Sequence, residues 1–250
     1  MTPVIIGFAS LVVIFGAALL GIFAARVLPK HHLGDQTCGA VSVSAAVVGT
    51  LSALVLGLMI STASSSFSAR SHEVTMISVD LIRMDRLIQR YGSEADDARA
   101  KLRAYVMAKA EELFPTRGDP PQTDEATAAM LETLQDAILL LTPTEEMHRW
   151  LRSQTLALSD NLAQTRWLLE EQGGSSIPLP FMILVVFWLA IVFASFGLFA
   201  PPNGTAIAFF CLSSMAVSGG VMMILELDTP FSGLIHISGE PMRHALQIIH

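Results

Sequence analysis

Charge is scarce in this chain, and its distribution is uneven. Only 15% of the 250 residues are Asp, Glu, Lys or Arg. Four stretches carry almost none: 4–27, 41–62, 180–200 and 205–226, where Arg26 near the end of the first and Glu226 at the end of the last are the exceptions. Each is close to the ~20 apolar residues that a helix needs to cross a bilayer. This pattern predicts an all-α integral membrane protein with four transmembrane helices, and a lipid bilayer as its first partner.

Other absences narrow the function. Two cysteines, Cys38 and Cys211, do not make a disulfide framework. Four spans would put both on one side of the membrane, which leaves a bridge open, but isolated cysteines in apolar helices serve mainly as small packing residues. A net charge of −7 argues against nucleic acid as a partner. The chain shows no His-Glu metal motif, Gly-rich phosphate loop or nucleophile elbow, so no enzyme, metal site or cofactor is expected. His31, His32 and Asp35 cluster after the first stretch but lack a third firm ligand at a recognised spacing, and read as a solvated hairpin loop over 28–40. The first stretch reads as a retained helix. Its apolar core exceeds that of a signal peptide, and it lacks a basic leader and a small-x-small cleavage site.

The second stretch is two-faced. At 100° per residue, Ser42, Ala46, Gly49, Thr50, Ala53, Gly57, Ser61, Ser64 and Ser68 fall on one side. Val47, Val48, Leu51, Leu54, Val55, Leu58 and Met59 fall on the other. A small, hydroxyl-dotted front suits a helix that faces other helices or a pore. Neither Pro nor Gly occurs between Met59 and Tyr91, so the helix is expected to run on beyond the membrane. Past Arg70 it carries a heptad seam: Val74, Ile77, Leu81, Met84, Ile88 and Tyr91. If seam and small face point to one axis, the rod belongs to an oligomeric pore with a stalk. If the seam packs only on its own domain, it is an anchor.

Residues 63–175 read as an all-helical domain inserted between membrane helices two and three. Gly92 ends the rod. Ser93-Glu94-Ala95-Asp96 spells a capping box for a helix reaching Pro115. A Gly/Pro loop over 116–122 and a helix from about Asp124 to Leu141 follow. Thr142-Pro143-Thr144-Glu145 then spells a cap for a last helix ending at Gly173-Gly174. The domain holds 12 of the 15 basic residues and 18 acidic ones. Arg83, Arg86, Arg90, Arg99 and Arg103 interleave with Asp80, Asp85, Glu94, Asp96 and Asp97, as on salt-bridged helix faces; an anion site is the sharper alternative.

Lysine and arginine counts put the helical domain and both termini in the cytoplasm, since only Lys30 and Arg26 flank the other side. Spans of 1–62 and 176–227 form the two membrane hairpins, and 228–250 forms an interfacial C-terminal segment, with an amphipathic stretch after Thr229-Pro230 and a last helix from about Pro241. Glu226 and Asp228 lie at a helix C-terminus, where the macrodipole disfavours negative charge. They serve an ion, a gate or a basic partner, or else they are simply solvated at the interface.

Three runs carry a family resemblance: VVGTLSALVLGLMISTASSSF, MDRLIQRYGSEADDARAKLRAYV and ELDTPFSGLIHIS. They resemble the bestrophin-like family of bacterial four-helix membrane proteins over nearly the whole chain, most specifically in Asp85-Arg86-Leu87, Tyr91-Gly92, Arg99 and Leu102-Arg103, and in Glu226–Gly233. The resemblance implies a multi-pass protein of the bacterial inner membrane. Bestrophins, to which the family is distantly similar, are pentameric anion channels whose second membrane helix lines the pore. By that likeness, Ser42, Ala46, Gly49, Thr50, Ala53, Gly57, Ile60, Ser61, Ser64 and Phe67 are pore-lining candidates in a homo-oligomer. Bestrophins narrow the pore with bulky apolar side chains, whereas here only Ile60 and Phe67 are bulky, and no basic residue lies on the membrane stripe. The alternative is a non-conducting anchor or signalling scaffold whose helical domain binds a cytoplasmic protein. A motor-stator or energy-coupling subunit ranks last, because no ionisable residue lies mid-bilayer.

Overall fold

The computed structural model describes residues 3–29, 33–115, 124–171, 177–229, 231 and 233–249. All regular structure among them is helical: α1 (Pro3–Val27), α2 (Asp35–Tyr91), α3 (Asp96–Leu113), α4 (Asp124–Leu139), α5 (Glu146–Glu171), α6 (Leu179–Phe199), α7 (Gly204–Asp228) and α8 (Glu240–Ile248). Four of these, α1, α2, α6 and α7, are long and apolar enough to cross a membrane. The chain divides into two compact units. An apolar unit takes Met1–Phe67 and Ser175–His236, and a helical unit takes Ser68–Gly174 and Ile237–His250. The single helix α2 contributes to both.

In the apolar unit, α1 packs along α6 and α7. Glycine decides how closely. A methyl group added at Gly21 would overlap the Ala194 carbonyl oxygen, and one added at Gly197 would overlap the carbonyl oxygen of Ala18. The backbones of α1 and α6 therefore touch directly, which no larger side chain permits. The two helices run parallel, for Ile6–Val13 of α1 lie opposite Leu179–Ala190 of α6, as Gly21 lies opposite Ala194 and Leu198. Away from the glycines they diverge around an apolar groove of about 360 Å³. Gly7, near the start of α1, sits against Met222, near the end of α7. Pro180 opens α6 in its first turn. Asn203 caps α7, its side chain accepting the Ala206 N–H at 2.8 Å.

The helical unit is built on the heptad seam. Val74, Ile77, Leu81, Met84, Ile88 and Tyr91 are all buried. They join Leu102, Tyr105 and Val106 of α3, Leu134 and Ile138 of α4, Leu151 and Leu162 of α5, and Met242 and Ala245 of α8 in the buried core. The chain turns at Gly92, whose φ of 102° is left-handed and suits glycine. Among the polar ties that connect elements are two made by arginines. Arg99 of α3 donates to Asp85 of α2 at 2.8 and 3.3 Å, a two-point contact with a fully buried carboxylate. Arg152 of α5 donates to the Ile138 and Leu139 carbonyls at 3.2 and 2.8 Å, so a basic side chain from one helix closes the C-terminus of another.

Several local expectations are corrected. α2 begins at Asp35, so the expected loop over 28–40 is shorter. After Gly34 nothing breaks a helix, and Asp35 favours its first turn. The expected capping box forms no side-chain bond. Ser93–Ala95 is a 3-10 turn closed by the Ala95 N–H on the Gly92 carbonyl at 3.1 Å, and α3 starts only at Asp96. Thr142-Pro143 does not cap α5, which starts at Glu146 after an irregular stretch. The residues in between are used to leave α4, which stops at Leu139. Residues 228–250 do not stay together: those to His236 group with the apolar unit, and those from Ile237 group with the helical unit, where α8 packs on α3. Cys38 and Cys211 are free thiols. Lys30, His31 and His32, the loop over 116–122 and Gly173-Gly174 lie outside the described residues.

The glycine contact makes a sharp prediction. Gly21→Ala or Gly197→Ala is expected to cost about 1–3 kcal/mol by overpacking, lowering the thermal midpoint of the purified protein in detergent. Gly16→Ala, on the same helix with open space around it, should be neutral or slightly stabilising. Equal midpoints for all three would refute the backbone contact. A second prediction concerns Asp80, whose carboxyl burial holds above the usual carboxylate range, only partly offset by Arg83. A raised pKa means that this group's contribution is complete below the unfolded value and is lost as pH rises through the folded one. Asp80→Asn should therefore be more stable than the parent at pH 7, with the gap closing toward pH 4.

Candidate functional site along α2

The covered side of α2 is one continuous strip. Ala45, Ser52, Met59 and Ala63 are buried in the apolar half, Arg70 at the junction, and the heptad seam beyond it. At 100° per residue these positions share one third of the helix circumference from end to end. The remainder is left open by the chain. Of the most apolar stretch of α2 only 17% is buried, against 33% in α1 and α6 and 22% in α7. This helix is thus the least covered of the four.

The small-residue stripe lies mainly in the open part, with Phe67 at its end packed against the apolar core. Ser42, Ala46, Thr50, Ala53, Gly57, Ile60, Ser61 and Ser64 are exposed, while Gly49 and Phe67 are half-buried at its border. Nothing approaches the position of a Cβ on Gly57, whereas one on Gly49 would just reach the Val192 methyls at 4.0 Å. Val47, Leu51, Leu54 and Leu58 on the opposite flank are exposed too. Packing within the chain therefore does not explain the stripe, because it runs through Ala45, Ser52, Met59 and Ala63 instead. Seam and stripe do not share a face: the seam is buried by its own unit, the outcome expected of an anchor, whereas the stripe is left open, the outcome expected of a helix that faces a partner or a pore.

Several hydroxyls on this helix donate to the preceding turn. Thr50 donates to the Ala46 carbonyl at 2.8 Å, Ser44 to Ala40 at 3.0 Å and Ser52 to Val48 at 2.8 Å. Of these, only Thr50 lies on the stripe, and with its proton spent on the preceding turn it presents oxygen lone pairs outward. The surface they make is weakly polar and uncharged.

Glu226 and Asp228 are buried, at 3% and 7% exposure, so the solvated reading does not hold. Glu226 accepts the backbone N–H of Leu234 at 2.6 Å and of Ile235 at 3.4 Å through one oxygen, Oε2. Gly233, with φ 108°, lies so close that any side chain there would strike the carboxylate. The acid thus folds the segment after α7 back onto the helix end. A capping carboxylate at a helix C-terminus is unfavourable toward its own dipole but answers N–H groups that would otherwise be buried unbonded. The sequence carried a signal for this in the Glu226…Gly233 spacing, but only the bend reveals it. Glu226→Ala should leave both N–H groups unpaired and open 229–236 to limited proteolysis, while Glu226→Gln, which keeps an acceptor oxygen, should protect partially. Unchanged cleavage of both variants would rule out the clamp.

Among the described residues, no group of three or more His, Cys, Asp or Glu is placed to hold a metal ion. The arrangement defines a helical protein whose longest helix carries a small-residue face that its own chain leaves uncovered. The chain belongs to the bestrophin-like family: the family model "Bestrophin-like domain" matches residues 12–242. Its fold is similar to crystal structures of a bacterial bestrophin homologue from Klebsiella pneumoniae. One, solved by zinc phasing, aligns with a TM-score of 0.68 at 12% identity, covering 97% of this chain and 96% of that one. A single-substitution variant aligns with a TM-score of 0.71 at 12% identity, covering 97% of both. No curated relative matches by sequence.

Proposed function

We propose that this protein is a homo-oligomeric membrane channel or pore in which copies of α2 surround a conduction path along the stripe from Ser42 to Phe67. The observation that carries this reading is the openness of that stripe. The least covered apolar helix of the chain turns toward the outside a face of Ala, Gly, Ser and Thr, where lipid would favour large aliphatic side chains. Family membership and the shared fold with bacterial bestrophin homologues support it.

The parallel pairing of α1 and α6 supports the topology of this reading. Two parallel spans must start on the same side, and α6 starts from the helical unit. The start of α1, the helical unit and the end of α7 then share one side, which the lysine and arginine distribution marks as cytoplasmic in a bacterial inner membrane. The lining carries hydroxyls but no charge, with Ile60 and Phe67 as its bulkiest members. The scaffold alternative keeps the same topology and gives the open face to helix packing alone.

Reconstitution in liposomes decides between them. Ion flux from the purified protein is expected. Gly57→Trp or Ser61→Trp should cut it at least tenfold while leaving assembly and thermal midpoint intact, because neither position is packed within the chain. No flux of halide or cation from assembled protein would end the pore reading and leave the scaffold.

A further inference from the structure

Two of the interleaved arginines in the helical unit are answered by acids: Arg99 by Asp85, and Arg83, at a longer 3.4 Å, by Asp80. Arg103 of α3 is used differently. Its Nε donates to the carbonyl of Ile249 at 2.7 Å and so closes the end of α8. The two helices, both in the helical unit, run antiparallel, for Gly239 sits against the Phe114 ring while Ile249 meets Arg103. Between them lies a groove of about 280 Å³ walled by Val106, Met107, Leu246 and Ile249, and Arg103 lines it one turn before Val106 and Met107. The chemistry of these walls is one-sided. None of the five residues is acidic, and Arg103 forms no ion pair among the described residues. Ile249 takes one of the five N–H donors of a guanidinium, and the side chain is exposed, so a head group reaches the others from solution.

We infer that this groove binds a free fatty acid of medium chain length, with the carboxylate on Arg103 and the chain along Val106, Met107, Leu246 and Ile249. Three arguments lead there. Charge complementarity calls for an anion, and the planar fork of a guanidinium matches a carboxylate. The apolar walls call for a chain without polar groups. A peptide laid in the groove would bring N–H and C=O groups that Val106, Met107, Leu246 and Ile249 cannot answer, and buried backbone groups left unpaired are costly. Size limits the chain. An apolar cavity of about 150 Å³ holds a benzene, so about 280 Å³ has room for on the order of ten to twelve carbons, and not for a whole phospholipid. The inference is independent of the pore reading, since neither α3 nor α8 belongs to the apolar unit.

The test is photolabelling of the full chain. Protein in nanodiscs of zwitterionic lipid is irradiated with dodecanoic acid that carries a diazirine near its methyl end, and the labelled peptides are mapped. Label is expected on the groove residues of α3 and α8, and unlabelled dodecanoate should compete for it at least tenfold better than dodecanol, which has the chain without the charge. Arg103→Gln should weaken the label at least tenfold. Because that change also removes the bond to Ile249, a second variant fills the groove and leaves the arginine in place: Met107→Trp, at a position 65% exposed, should weaken the label as much with an unchanged thermal midpoint. Label confined to the apolar helices, groove label that survives Met107→Trp, or equal competition by dodecanol overturns the inference.

Discussion

Backbone meets backbone where Gly21 of α1 faces Ala194 and Gly197 of α6 faces Ala18. In an apolar surrounding the hydrophobic effect gives helices no reason to associate, so close approach of this kind is what holds them. The contact fixes the two helices as parallel neighbours, and the groove between Ile6–Val13 and Leu179–Ala190 is the space left where they part. The core residues Ile14, Ala18, Val185, Leu189 and Phe193 gather around the same pairing. With α1 and α6 committed to each other, α2 is the helix left over. Its open stripe is a consequence of where the glycines lie.

The helical unit is held by different means. In the proposed topology this unit lies in water, so burial of the seam supplies the driving force, and each buried methylene contributes on the order of 0.8 kcal/mol. Charged groups inside are paired with care. Asp85 has Arg99, and the buried Lys109 donates to Glu112 at 2.5 Å, which in turn accepts from Thr127 of α4 at 2.5 Å. Removing one member of such a pair costs about 3–5 kcal/mol, so these ties fix register more than they add stability. In that topology a single α-helix passes between two solvents and obeys a different packing rule in each.

What the sequence disclosed divides along physical lines. The seam from Val74 to Tyr91 was legible because burial in water imposes a heptad, and every one of its members is buried. The turn at Gly92 was legible because only glycine takes that φ readily. The stripe was visible as composition, but whether its own chain covered it depends on α1 and α6, which no local pattern reveals. Gly21 and Gly197 were single glycines in apolar helices, a spelling that marks close approach without naming the partner. The capping signals at Ser93 and Thr142 were overridden by the paths the chain must take out of α2 and α4. The burial of Glu226 depends on a bend seven residues later, beyond the reach of any periodicity.

The pairing of Gly21 with Gly197 also orders events during synthesis. The two halves of that contact lie on either side of the entire helical unit. When α1 and α2 leave the ribosome, the surface on which α1 will rest does not yet exist. Chains are made from the N-terminus at roughly 5–20 residues per second, and domains fold as units while this proceeds. Residues of α3, α4 and α5 emerge long before α6. The early hairpin must therefore wait in the bilayer with its glycine face covered only by lipid until the last hairpin arrives. Closure of the apolar unit is a late step.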